Sequence, residues 1–330
     1  MQRSTALRLC LSLLVAGLLL ALLSHWGGVG LADFRAALTR LDGTTYGLAL
    51  LLHAGIYALR SWRFALLLPR EQRPGAPVTL AVSAAHNLAS YVLPAKTGEV
   101  SLVLYLKTYG GVSASAGLAS LLVSRLFDLA VLCAWVAGAI AWLGSGNSNL
   151  ARLLPLVLPL GILALALAGL CMRPHWLSSL SLLLSRALRL SRYAIGRAIV
   201  ARLERLRLAL RGTSGAGTQI ACLGITVGQW ALVFGFYAVL ARGVGLPDSI
   251  GYGEAVFGSS LAVLFNLLPI NGFAGFGTQE LGWNIGFELL GVPRDLALAS
   301  GLAVHLVQLA NVVLFGVAAH LALGFVRHKR

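Results

Sequence analysis

Carboxylates sit where a hydrophobic chain is broken. The segment Leu93-Pro94-Ala95-Lys96-Thr97-Gly98-Glu99 interrupts one long apolar stretch. A second, Leu268-Pro269-Ile270-Asn271-Gly272-Phe273-Ala274-Gly275-Phe276-Gly277-Thr278-Gln279-Glu280, interrupts another far along the chain. Each has Leu-Pro, then glycine, then one acid. Proline removes an N–H and glycine removes a stiffening side chain, so each site stops a helix. Backbone freed at membrane depth must pack in protein or line a wet cavity, because lipid offers it no hydrogen bonds. A carboxylate there is costly and marks a functional site unless it lies shallow enough to be solvated. Glu99 and Glu280 are therefore candidates to contact a cationic group or exchange a proton.

Other residues could join them. Arg125 and Asp128 are spaced i,i+3 and share one helix face. They form either a structural ion pair or part of an anion site, for which the planar guanidinium suits phosphate. Lys96 beside the first break is either a second phosphate contact or an anchor at the membrane edge. Asn87 and Asn266 precede the two breaks, placed to bond a neighbouring helix or freed carbonyls. Gly98, Gly272, Gly275 and Gly277 provide backbone freedom and close approach, and Pro94 and Pro269 end their helices. Glycines before a helix also leave N–H groups free to meet an anion. His86 and His305 stand apart from other metal ligands and read as packing or hydrogen-bonding residues. No metal or other cofactor is expected.

Composition dictates the medium for these groups. Of 330 residues, 58% are hydrophobic and 11% charged, with a mean hydropathy of +0.83. Soluble domains carry about 25% charged residues, so an all-α polytopic membrane protein is expected. The net charge of +15 gathers at the N-terminus, over Arg60–Arg73 and over Arg173–Arg211, where nine arginines face one acid. That clustering marks a cytoplasmic face rather than a nucleic-acid surface. Cys10, Cys133, Cys171 and Cys222 lie in or beside apolar runs without C-x-x-C spacing and read as fillers.

Spans of about 20 apolar residues are expected over 6–26, 44–68, 113–143, 153–172, 217–240 and 296–325. The segments 76–109 and 251–291 read as re-entrant hairpins entering from opposite faces. Six crossings and two hairpins form an inverted repeat, with pseudo-halves at about 1–172 and 213–330 in one domain covering 1–330. Both termini are then cytoplasmic, and 27–43 is an outer loop. The leucine- and arginine-rich connector 173–212 reads as an amphipathic segment on anionic inner-leaflet lipids, or else as a solvated link.

Asn87, Pro94, Gly98-Glu99 and Ser124-Arg125-x-x-Asp128, with Leu268-Pro269, Gly272, Gly275-Phe276-Gly277, Glu280 and Gly291-Val292, resemble the transmembrane region of lysylphosphatidylglycerol synthases. That resemblance implies a flippase-like domain translocating a phospholipid or related amphiphile, without the soluble aminoacyl-transfer domain. It implies partners among membrane lipids, a homo-oligomer or lipid-synthesis enzymes, and an inner-membrane location. There is no Walker A loop, G-x-S-x-G elbow or H-E-x-x-H motif, and no enzymatic activity is expected. Two alternatives stand beside a transporter. One is a non-catalytic partner of a lipid- or glycolipid-synthesis complex. The other is a lipid-carrier-dependent transferase, for which Asp33 and Asp42 are the outer carboxylates.

Overall fold

The computed structural model describes residues 31–144, 154–171, 215–267 and 273–328, with isolated positions between 152 and 208. The expected first span, the connector 173–212, and Pro269 and Gly272 of the second break lie outside the described residues. So do the side chains of Pro94 and Lys96.

The described chain is all helical. Helix α1 is Leu31–Thr39, α2 is Gly43–Leu66, α3 is Ala76–Val92, and a 3-10 turn, Pro94–Val100, leads into α4, Ser101–Gly110. Then follow α5, Ala114–Leu143, and α6, Leu154–Cys171. The remainder comprises α7, Ala216–Gly243; α8, Tyr252–Leu267; a short turn, Phe273–Gly275; α9, Thr278–Glu288; and α10, Arg294–His328. Among the described residues, three helices are long and apolar enough to cross a membrane: α5, α7 and, over Arg294–Phe325, α10.

Local chemistry explains the boundaries. Asp42 caps α2, accepting from the backbone N–H of Thr44 (2.8 Å) and Thr45 (2.9 Å) and from the Thr45 hydroxyl (2.6 Å). The Thr45 hydroxyl bond, helped by its backbone N–H, holds the exposed Asp42 carboxyl below the ordinary range. Where α2 ends, Arg73 donates to the carbonyls of Leu66 and Leu68. Helix α3 stops at Val92, ahead of Pro94. In the second break, Gly275 and Gly277 take φ of +88° and +86°, and Ala274 stands beside them at +55°. For alanine that left-handed conformation costs about 1–2 kcal/mol.

Two helical hairpins result: α3 packs on α4, and α8 packs closely on α9. The second contact depends on missing side chains, since a Cβ on Gly286 would stand 2.2 Å from the Gly258 carbonyl oxygen. Helices α2 and α7 pack against each other; α5 supports α8, and α10 supports α3 and α9. The turn of the second hairpin touches α3 of the first.

Two expectations need correction. The segment 27–43 is not simply a loop, because α1 forms in it and packs on α10. Arg60 and Arg63, expected to close the cytoplasmic end of the second span, turn inward. Arg63 is 0% exposed. Both sit on α2 one turn apart, and the interior supplies the acceptors that make this burial tolerable.

Candidate functional site

Helix α5 carries the charged centre. Arg63 of α2 grips Asp128 with two nearly parallel bonds, Nη1–Oδ1 at 2.7 Å and Nη2–Oδ2 at 3.0 Å. Thr226 Oγ1 (3.0 Å from Arg63 Nη1) and Trp230 Nε1 (3.3 Å from Asp128 Oδ1), both on α7, complete this node. Arg125, one turn before Asp128, reaches its Oδ2 at 3.3 Å. It also donates from Nε to Glu99 Oε2 at 2.9 Å, with a second bond from Nη2. The first break thus delivers Glu99 to α5, and the i,i+3 spacing makes Arg125 the link between both acids.

These groups border a cavity of about 390 Å³ at the meeting of the two hairpins. Glu99, Arg125, Asp128, Asn87 and Asn266 line it, as do Arg60, Ala274 and Gly275. Arg60 donates from Nη1 to Asn87 Oδ1 at 2.8 Å, and Asn87 donates to the Tyr57 hydroxyl at 2.9 Å. No carboxylate among the described residues forms an ion pair with Arg60, and its Nε is buried with no hydrogen-bond partner. Three cations, Arg60, Arg63 and Arg125, therefore meet two acids, Glu99 and Asp128. The cluster beside the chamber thus has one more cation than acid, and Arg60, which lines the wall, is the cation left without a carboxylate among the described residues.

The far wall is neutral and polar. Gln308 of α10 accepts from Gln279 Nε2 (2.8 Å) and the Tyr237 hydroxyl (3.2 Å), and donates to the Tyr91 hydroxyl. Asn266 donates to Gln279 at 3.4 Å. One side chain thereby ties α10 to α3, α7 and the second hairpin.

Glu280 is placed differently from Glu99. It is 0% exposed and is not among the cavity-lining residues. Its Oε2 accepts from the Gly277 N–H at 2.7 Å, and its Oε1 meets His305 Nδ1 at 2.6 Å. His305 Nε2 faces the Ala274 carbonyl at 3.1 Å. His86, the histidine of the first hairpin, bonds Ser101 Oγ at 3.0 Å. Gly98 packs on α3, and Gly275 and Gly277 supply the left-handed turns.

Sequence reasoning missed Arg60, Arg63, Tyr91, Trp230 and Gln308. A signal existed for the first two: His53, Tyr57, Arg60 and Arg63 recur at helical spacing and form a polar stripe on α2. His305, Gln308 and Asn311 make a second on α10.

An all-helical apolar bundle with a charged chamber inside defines a multi-pass membrane protein. The family model described as Lysylphosphatidylglycerol synthase TM region matches residues 9–316, and the chain belongs to that family. The match is to the membrane region of the synthase. Family and bundle together support a lipid-translocating role in general terms. A search of the curated proteins and a search of the solved structures each returned no match.

Proposed function

We propose that the protein moves a lipid with a charged headgroup between leaflets, the headgroup passing through the chamber while the tails stay in the bilayer. The observation that carries this reading is Arg60: a cation in the chamber wall, bonded to an amide and paired with no carboxylate among the described residues. An anionic phosphate would supply the missing counter-charge. A chamber of about 390 Å³ falls within the roughly 300–1,000 Å³ of ligand sites, enough for a headgroup and too small for two acyl chains besides.

In this reading the hairpins are re-entrant and enter from opposite faces of the inner membrane. Six spans surround them, and both termini are cytoplasmic. The packing supports an inverted repeat joining pseudo-halves 1–172 and 213–330: α2 meets α7, while α5 and α10 each support the other half's hairpin. Arg125 and Arg60 receive the phosphate. Asp128 and Glu99 keep Arg125 aimed, Asn87 aims Arg60, and Asn266 shapes the opposite wall. A scaffold for a synthesis complex would have its interior filled by side chains, and the chamber counts against that alternative. For a lipid-carrier transferase, Asp42 is a poor candidate because its carboxylate caps α2.

The test is leaflet exchange of headgroup-labelled lipids in proteoliposomes. Replacing Arg60 with glutamine removes one charge-assisted bond worth about 1.5–3 kcal/mol. Exchange of anionic lipids is expected to slow about 10- to 100-fold with the thermal unfolding midpoint nearly unchanged. Equal rates in parent and variant would remove the phosphate-binding role.

A further inference from the structure

We propose that Glu280 and His305 form a proton-binding site that couples opening of the second hairpin, and with it lipid movement, to protons. This inference rests on the transport reading above for its consequence but on separate residues for its chemistry.

The argument begins with hydrogen-bond counting. His305 Nε2 faces the Ala274 carbonyl at 3.1 Å, and a carbonyl only accepts, so Nε2 carries a proton. His305 Nδ1 stands 2.6 Å from Glu280 Oε1, which requires one more proton between them. Whether that proton sits on the ring or on the carboxyl, the pair is neutral overall. Turning the ring over would place carbons against both oxygens and forfeit both bonds. The other carboxylate oxygen is taken by the Gly277 N–H at 2.7 Å.

Thus one histidine on α10 fastens two points of the second break: the carbonyl of Ala274, held at φ +55°, and the acid that caps α9. Phe276 covers the ring at a centroid distance of 4.5 Å. Both side chains are 0% exposed. Removing the shared proton would leave one negative charge in this dry site, where His305 is the sole ion-pair partner of Glu280 among the described residues. Such a charge is strongly disfavoured while the site stays closed. Proton loss and opening of the break must therefore occur together, and each promotes the other by linkage.

Other ionisable groups on the packed helices are engaged elsewhere. Tyr91 of α3 and Tyr237 of α7 bond Gln308, and His86 of α3 bonds Ser101. Glu288 of α9 pairs with Arg294 of α10, and His320 of α10 bonds Tyr105 of α4. Glu254 of α8 lines an apolar groove on the outside of the bundle. The latch also borders the chamber directly, because Ala274 and Gly275 are part of its wall. A headgroup moving there presses on the residue that His305 holds.

Glu280→Gln separates coupling from structure. Glutamine accepts from Gly277 and donates to Nδ1 of a neutral histidine, so the latch keeps its bonds and has no proton to release. In proteoliposomes with a gradient of one pH unit, one proton per lipid shifts the steady-state leaflet ratio up to about tenfold, and reversing the gradient reverses it. The variant is expected to reach the same ratio under either gradient. A wild-type ratio indifferent to the gradient, or a variant that follows it as wild type does, overturns the proposal. A wild type that exchanges no lipid defeats the transport reading alone. Proton linkage is then judged by amide exchange of the segment Ala274–Glu280, corrected for intrinsic rates. Opening that grows about tenfold per pH unit supports one released proton; opening independent of pH overturns it.

Discussion

Asp128→Ala is expected to destabilise the protein by about 3–5 kcal/mol, the range for breaking a buried ion pair by removing one partner. Arg63 is 0% exposed and both of its Nη groups bond Asp128. With the carboxylate gone, the guanidinium keeps only the Thr226 hydroxyl. Trp230 loses its acceptor and Arg125 loses one of its two acids. The variant should show a much lower unfolding midpoint in detergent and little monodisperse protein after extraction.

The damage should come from the orphaned charge rather than from the missing bonds. A double variant, Arg63→Met with Asp128→Ala, removes the charge together with its partner, so it should be clearly more stable than Asp128→Ala alone. Equal stability of single and double variants would contradict an interior pairing of these two side chains. A single-variant loss under about 1 kcal/mol, typical of exposed pairs, would place the pair in water.

The same pair shows where reading the sequence stops. Arg125 and Asp128 were legible as partners because i,i+3 spacing on a helix fixes their neighbourhood. Arg63 was not, because its partner is 65 positions away. An arginine at the end of an apolar run reads as a membrane-edge anchor unless something distant calls it inward. The helix stop at Val92 was legible from Pro94, since a proline's missing donor acts locally. Glu280 was legible as an acid at a break, yet its bond to His305, 25 positions on, is set by how α9 packs on α10. Glu99 and Glu280 look equivalent in the chain; the fold sets one at a chamber wall bonded to Arg125 and buries the other against His305. What the linear pattern lacks is the pairing of polar stripes on different helices, and those pairings build the chamber.

Gly98→Ala is expected to be the most damaging single-methyl change in the first hairpin. A Cβ there would stand 2.3 Å from the Ala89 carbonyl oxygen and 2.4 Å from Ser90 Cα. Both are backbone atoms of α3 and cannot swing aside, so the 3-10 turn itself must move. Overpacking of this kind costs about 1–3 kcal/mol. The turn also carries Glu99, so a shift of a few tenths of an ångström loosens its bonds to Arg125 and lets that guanidinium leave the chamber wall. Lipid exchange should therefore fall further than the stability loss accounts for. Gly138→Ala on α5 provides the contrast, because a Cβ there meets nothing within 4 Å. That change should stabilise by about 0.5–1 kcal/mol through helix propensity and leave exchange unaltered. If the two alanine variants unfold at the same temperature, the turn does not rest against α3, and the geometry that presents Glu99 to Arg125 is lost with it.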